Sequence, residues 1–70
     1  MSIFVITAKQ VEKIILADGW TAYNQNGSHR QYKHPTKKGR VTIPFHKGDL
    51  PIMTFKSIFK QAGLDYRNYI

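Results

Sequence analysis

The 70-residue sequence has no cysteine, only four acidic residues and no long apolar run. Without cysteine there is no disulfide staple, no thiolate nucleophile and no thiolate metal site, and a reducing compartment is compatible with that. The acids Glu12, Asp18, Asp49 and Asp65 are scattered, which speaks against a carboxylate pair for acid/base work. No segment approaches the ~20 apolar residues of a membrane span. Ile3-Phe4-Val5-Ile6 is too short for a signal-peptide core and follows no basic residue, so a cytoplasmic location is expected. No phosphate-cradling glycine loop occurs, and no small-molecule cofactor is expected. His29, His34 and His46, at spacings of five and twelve without cysteine or a paired acid, match no standard metal site. Repeats, linkers and low-complexity stretches are also missing. A single small domain over residues 1–70 is expected, with a core too thin for a deep substrate cavity.

What is present argues for a folded, basic protein. Hydrophobic residues make up 41% of the chain, including one Trp, four Tyr and four Phe. Eleven Lys and Arg against four Asp and Glu give a net charge of +7. That balance suits a polyanion or an acidic partner protein, although a charge of about 2–8 is also ordinary for a soluble small domain. Distribution favours binding. Arg30, Lys33, Lys37, Lys38, Arg40 and Lys47 fall within residues 26–49 against Asp49 alone, and all three histidines lie there too.

Thr7-Ala8-Lys9-Gln10 has the form of a capping box, with Thr7 as N-cap and Gln10 reaching back. Ala8, Val11, Ile14 and Ile15 follow helical spacing, and Lys9, Glu12 and Lys13 are assigned to the other face. Gly19 is a natural stop, so a helix is predicted over about 8–18. Residues 20–25 read as a strand leading into an Asn26-Gly27 type I′ turn, which needs positive φ at both positions. Ser28 to His34 returns, stopped by Pro35. A turn at 36–39 precedes a third strand over 40–45, with Val41, Ile43 and Phe45 inward. By the same alternation Tyr32 faces the core, while His29, Gln31 and Lys33 share the opposite face. After a loop at 46–49, Phe55, Ile58, Phe59 and Ala62 form the stripe of a second helix closed by Gly63-Leu64. Residues 65–70 form a last turn or a frayed tail. The fold class is α+β, in the order α-β-β-β-α, with two helices on one face of a three-stranded antiparallel sheet. This is the order of double-stranded-RNA-binding domains, which read RNA by shape and phosphate contacts.

His29 is the candidate with chemistry. RNA carries its own nucleophile, the 2′-OH, so a cleaving protein need only move protons at the two oxygens and stabilise the charged phosphorane. A histidine beside fixed cations can do part of that, although an exposed strand histidine can equally be a simple phosphate contact. Lys33, Arg40 and Lys47 are expected to hold the RNA backbone, with Gln31 on the same face. Gly27 and Ser28 would let RNA approach the hairpin closely. His34, before a proline, is structural or a phosphate contact. His46 is a loop histidine and a possible second acid, beside water and Lys33. Tyr23 reads as surface packing and Tyr32 as core, rather than as base-stacking groups.

Several stretches together carry a resemblance. They are Asp18-Gly19-Trp20, Gly27-Ser28-His29-x-Gln31-Tyr32-Lys33-His34-Pro35, Arg40-Val41-Thr42-Ile43-Pro44, Asp49-Leu50-Pro51 and Ser57-Ile58-x-Lys60-Gln61-Ala62-Gly63-Leu64. In unbroken order over about residues 7–64, this string resembles the HicA family of toxin mRNA interferases. The resemblance implies a double-stranded-RNA-binding-like fold, ribosome-independent cleavage of mRNA, and inhibition by a HicB-type antitoxin. It also places the family's catalytic histidine on His29. The chain departs from the pattern at Met53, where a glycine is common, and in residues 1–6, which extend the N-terminus. Residues 65–70 are a C-terminal tail beyond the resemblance. Outside this family, the sequence also suits a non-catalytic RNA-binding module, or a domain that binds only an acidic protein and has no RNA affinity even at low salt.

Overall fold

Thr7 opens the first helix as its sequence predicts. Its Oγ1 accepts from the Gln10 backbone N–H at 3.2 Å, while Gln10 Oε1 accepts from the Thr7 N–H at 2.8 Å, closing both halves of a capping box. The computed structural model describes residues 6–45 and 48–69. The expectations for residues 1–5, His46, Lys47 and Ile70 lie outside it. Helix α1 spans Ala8–Ala17, followed by strands β1 (Thr21–Asn26), β2 (His29–Lys33) and β3 (Val41–Pro44), helix α2 (Ile52–Ala62) and a 3₁₀ turn at Tyr66–Asn68. The sheet is an antiparallel meander in the order β1-β2-β3. The expected α-β-β-β-α order and α+β class are both present.

Both helices end the same way. The Trp20 N–H bonds the Ile15 carbonyl and the Gly19 N–H that of Leu16; Leu64 and Gly63 repeat the pattern on Phe59 and Lys60. The apolar faces of the helices close over one side of the sheet. Val11, Ile15, Trp20, Tyr32, Val41, Ile43, Phe55, Ile58, Phe59 and Ala62 are all buried there. Ile6 joins them and pins the entrance to α2, its carbonyl accepting from the Leu50 N–H at 2.8 Å. The tail beyond α2 is an ordered last turn. Tyr66 meets Phe55 edge-on at 6.0 Å between centroids, and Tyr69 meets Phe59 at 5.2 Å.

Two local expectations change. The hairpin centres one residue later than predicted: Asn26 pairs with His29, so the two turn residues are Gly27 and Ser28. Only Gly27 has positive φ (62°), the pattern of a type II′ turn with glycine first, and Asn26 stays in the strand. Glu12 does not share the outer face with Lys9 and Lys13. It lies four residues after Ala8 and three before Ile15, at the core-side margin of α1. From there its Oε2 accepts from the Tyr32 hydroxyl and from Arg30 Nη1, each at 2.6 Å.

This inward carboxylate makes the fold acid-sensitive. Burial alone would raise the Glu12 carboxyl, but the Tyr32 and Arg30 hydrogen bonds outweigh it and hold it below the usual value. Burial and the same bond raise the Tyr32 phenol, which keeps its proton as donor. Because the folded carboxyl is the more acidic, its stabilisation is complete above the ordinary carboxylate range and is lost as pH falls through the depressed folded value. Glu12→Gln is therefore expected to cost about 1–2 kcal/mol near pH 7. The gap from wild type should narrow toward pH 3. Urea denaturation at the two pH values measures this, and a gap independent of pH would contradict it.

Candidate nucleic-acid interface

The register of β2 sorts its side chains into two sets. Arg30 and Tyr32 lie opposite Ile43 and Val41 and point to the helices. His29, Gln31 and Lys33 point the other way, with Pro44, Thr42, Asn26, Asn24 and Thr21 as cross-strand neighbours. The phase expected from sequence holds, and among the described residues this second face carries no helix. His29 and Lys33 are exposed and Gln31 is half-buried.

His29 is the first residue of β2, fixed in direction by the turn before it. Gln25 Nε2 donates to the Gly27 carbonyl at 3.1 Å, and the Phe45 N–H donates to the Ser28 carbonyl at 2.7 Å, so the turn is braced on both sides. A Cβ at Gly27 would have no atom within 4 Å, which leaves the surface beside His29 open to a ligand backbone.

Sequence reasoning missed a cluster at the middle of this face. A bulge in β1 between Ala22 and Asn24 brings both Tyr23 and Asn24 onto Gln31. Asn24 Nδ2 donates to Gln31 Oε1 at 3.0 Å and the Tyr23 hydroxyl at 3.5 Å, leaving the Gln31 amide N–H₂ as the end that can donate outward. Lys33 and Arg40 each stand 5.6 Å from the centroid of the Tyr23 ring. Two expected RNA contacts are thus gathered around an aromatic ring that had been assigned only to packing. Lys47 lies outside the described residues.

The basic segment divides. Arg30 is turned inward to Glu12 and stacks over Phe45 at 4.3 Å. Lys37 bonds the Asp18 carboxylate at 2.5 Å and the Ala62 carbonyl at 3.1 Å, tying the hairpin to the ends of both helices. These two charges hold the fold together. Their partners are 18, 19 and 25 residues away in sequence, where no local pattern could reveal them. Of the four acids, Glu12 and Asp18 are bonded in this way, Asp65 pairs with Arg67, and Asp49 lies on the loop before α2, its backbone in an isolated β-bridge with Thr7. None lies on the open face of the sheet, which leaves its field positive.

The structure assigns His34 to architecture, the first of its two expected roles. Its Nδ1 accepts the backbone N–H groups of Thr36 and Lys37, each at 3.0 Å, so Nε2 carries the hydrogen that is donated to the Asp18 carbonyl at 2.7 Å. Its ring meets Trp20 edge-on at 5.1 Å. Among the described residues no three His, Asp or Glu side chains converge, and no helix is long and apolar enough to cross a membrane.

An α+β domain with two helices behind its sheet and a polar, cation-bearing sheet face in front is the class these features define. Residues 8–64 match the model of the HicA toxin of bacterial toxin-antitoxin systems. That match covers more than half of the chain, which belongs to the HicA toxin family and is a toxin of a toxin-antitoxin system. No curated protein is similar enough to count as a match.

Proposed function

We propose that this toxin is a ribosome-independent endoribonuclease that cuts mRNA with His29, without a metal ion, in the cytoplasm, and is neutralised by a HicB-type antitoxin. The observation that carries the reading is the position of His29. It stands exposed at a braced turn, on a sheet face with Gln31, Lys33 and Arg40 and without a carboxylate. In the reaction, the 2′-OH oxygen attacks the neighbouring phosphorus and the bond to the 5′ oxygen breaks. The 2′-OH proton leaves and the 5′ oxygen gains one, and His29 carries one of these transfers as base or acid. Lys33 and Arg40, with Lys47 beyond the described residues, hold the phosphates of the strand on either side of the cut. Gly27 and Ser28 let the strand approach. The antitoxin would cover this face, with acidic groups opposing its cations.

A purified transcript incubated with the chain, without ribosomes and with or without a chelator, tests the reading. Cleavage in both samples, leaving 2′,3′-cyclic phosphate and 5′-hydroxyl ends, is the expected result. An intact transcript in both would remove the enzymatic reading.

Phosphate contacts also predict how binding responds to salt. Each lost contact should lower the slope of log affinity against log salt by about 0.7 for single-stranded RNA. Lys33→Ala and Arg40→Ala are each expected to show that reduction, for every RNA sequence alike. A variant with the parental slope would place its side chain off the phosphates.

A further inference from the structure

At the end of β2 away from His29, the open face runs into a groove lined by Gly19, Thr21, Lys33, His34 and Pro35, with a volume of about 480 Å³. That is within the ~300–1,000 Å³ typical of small-ligand sites. The cleavage chemistry does not use it. Its shape is set by rigid parts: His34 is held through both ring nitrogens, and Gly19 is the stop of α1. The lining is mostly apolar, with one hydroxyl from Thr21 and one ammonium from Lys33. Lys33 belongs to the groove and to the open face at once, and Thr21 is its cross-strand partner, so the two surfaces are continuous. A flat, weakly polar ring next to a negative charge suits these walls. An acidic peptide suits them less, because Lys33 is the only ammonium or guanidinium group on the lining.

We propose that the groove is a nucleotide subsite that takes one base of the bound RNA strand while Lys33 holds the adjoining phosphate. The proposal rests on the ribonuclease reading and adds to it. His29 and Lys33 are four residues apart on β2, about 13 Å at the rise of an extended strand. The base in the groove is therefore not at the cut but farther along the strand. The enzyme acquires a base preference at a position remote from the scissile bond.

Trp20 reports on the groove. It is the only tryptophan, it lies between Gly19 and Thr21 in sequence, and it packs against His34. The experiment uses His29→Ala protein to prevent turnover and a labelled single-stranded hexaribonucleotide at low salt. Anisotropy of the RNA and emission of Trp20 are followed in one titration. Both signals are expected to saturate at the same midpoint. Adding Thr21→Tyr, which fills the mouth of the groove, is expected to weaken binding by about tenfold, within the range one stacked base supplies. Adding Thr21→Val, which keeps its size, should change it by less than about twofold on the same scale. If Thr21→Tyr fails to fold, backbone amide shifts of Thr21 and Lys33 on RNA addition, in His29→Ala alone, decide the matter. RNA binding with unchanged Trp20 emission, or with equal affinity for the filled groove, overturns the subsite and leaves the ribonuclease reading standing. No anisotropy change at low salt overturns both.

Discussion

Induction of the His29→Ala chain is expected to leave cell growth and mRNA intact, and induction of the wild-type chain to arrest growth and deplete mRNA. In vitro, cleavage should fall by about 10²–10⁴-fold, the usual contribution of one positioned proton-transfer group. The physical basis is a separation of duties between two histidines in one hairpin. His29 is exposed on the open face, so its loss should change stability by no more than about 1 kcal/mol. RNA binding should survive, because the proposed phosphate contacts belong to Lys33 and Arg40 rather than to His29. His34→Ala is expected to do the reverse. It removes the ring that accepts two backbone N–H groups and bonds the end of α1, so it lowers the melting temperature first. Growth curves, RNA gels and melting of the three chains distinguish the outcomes. RNA binding without cleavage in wild type and His29→Ala alike would move the protein to the class of RNA-binding modules, and equal cleavage by both would take the chemistry off His29. Growth arrest without cleavage in that variant would place the toxicity in binding.

Gly19→Ala is expected to cause the largest loss of stability from adding a single carbon, about 2–3 kcal/mol. Two causes act together. Gly19 holds φ at 105°, outside the range that L side chains adopt comfortably, and a Cβ there would come within 2.7 Å of His34 Nε2. His34 cannot retreat, since its opposite nitrogen is fixed by Thr36 and Lys37. A domain of this size has roughly 4–10 kcal/mol of stability in all, so the melting point should fall by about 10 °C or more. Gly27→Ala is the control. Its φ is also positive at 62°, but a Cβ there meets nothing within 4 Å, so only the backbone cost of about 1–2 kcal/mol applies. A double-mutant cycle separates the two causes. If the contact with His34 matters, His34→Ala should cost less in the Gly19→Ala background than in wild type. Additive losses would assign the whole effect to the backbone.

Much of this was legible along the chain. The capping box at Thr7 and Gln10, the glycine stops at Gly19 and Gly63, and the stripe Phe55-Ile58-Phe59-Ala62 are local signals. They depend on spacings of three and four residues, and they appear where expected. The alternation in β2 and β3 was enough to put Tyr32, Val41 and Ile43 inside and His29, Gln31 and Lys33 outside, because a half-buried strand has only two faces. The string of motifs from Asp18 to Leu64 pointed to the HicA family that the chain matches. The hairpin turn was off by one residue, since Asn26-Gly27 and Gly27-Ser28 both satisfy local turn chemistry and only strand pairing chooses between them.

What the tertiary structure alone decided concerns partners distant in sequence. A single-residue bulge in β1 cannot be read from Thr21-Ala22-Tyr23-Asn24, yet it puts Tyr23 beside Gln31, Lys33 and Arg40 on the open face. Charge counting treated Arg30 and Lys37 as part of one basic surface. Folding draws both toward the helices, because Glu12 on α1 and Asp18 at its C-cap are part-buried and each carboxylate that loses part of its water gains from a cation and its hydrogen bonds. The sequence by itself determined which elements form, how they follow one another and which side of the sheet is open. Which cations face that open side, and which are engaged in holding the helices to the hairpin, depended on contacts across 18 to 25 residues that only the folded chain makes.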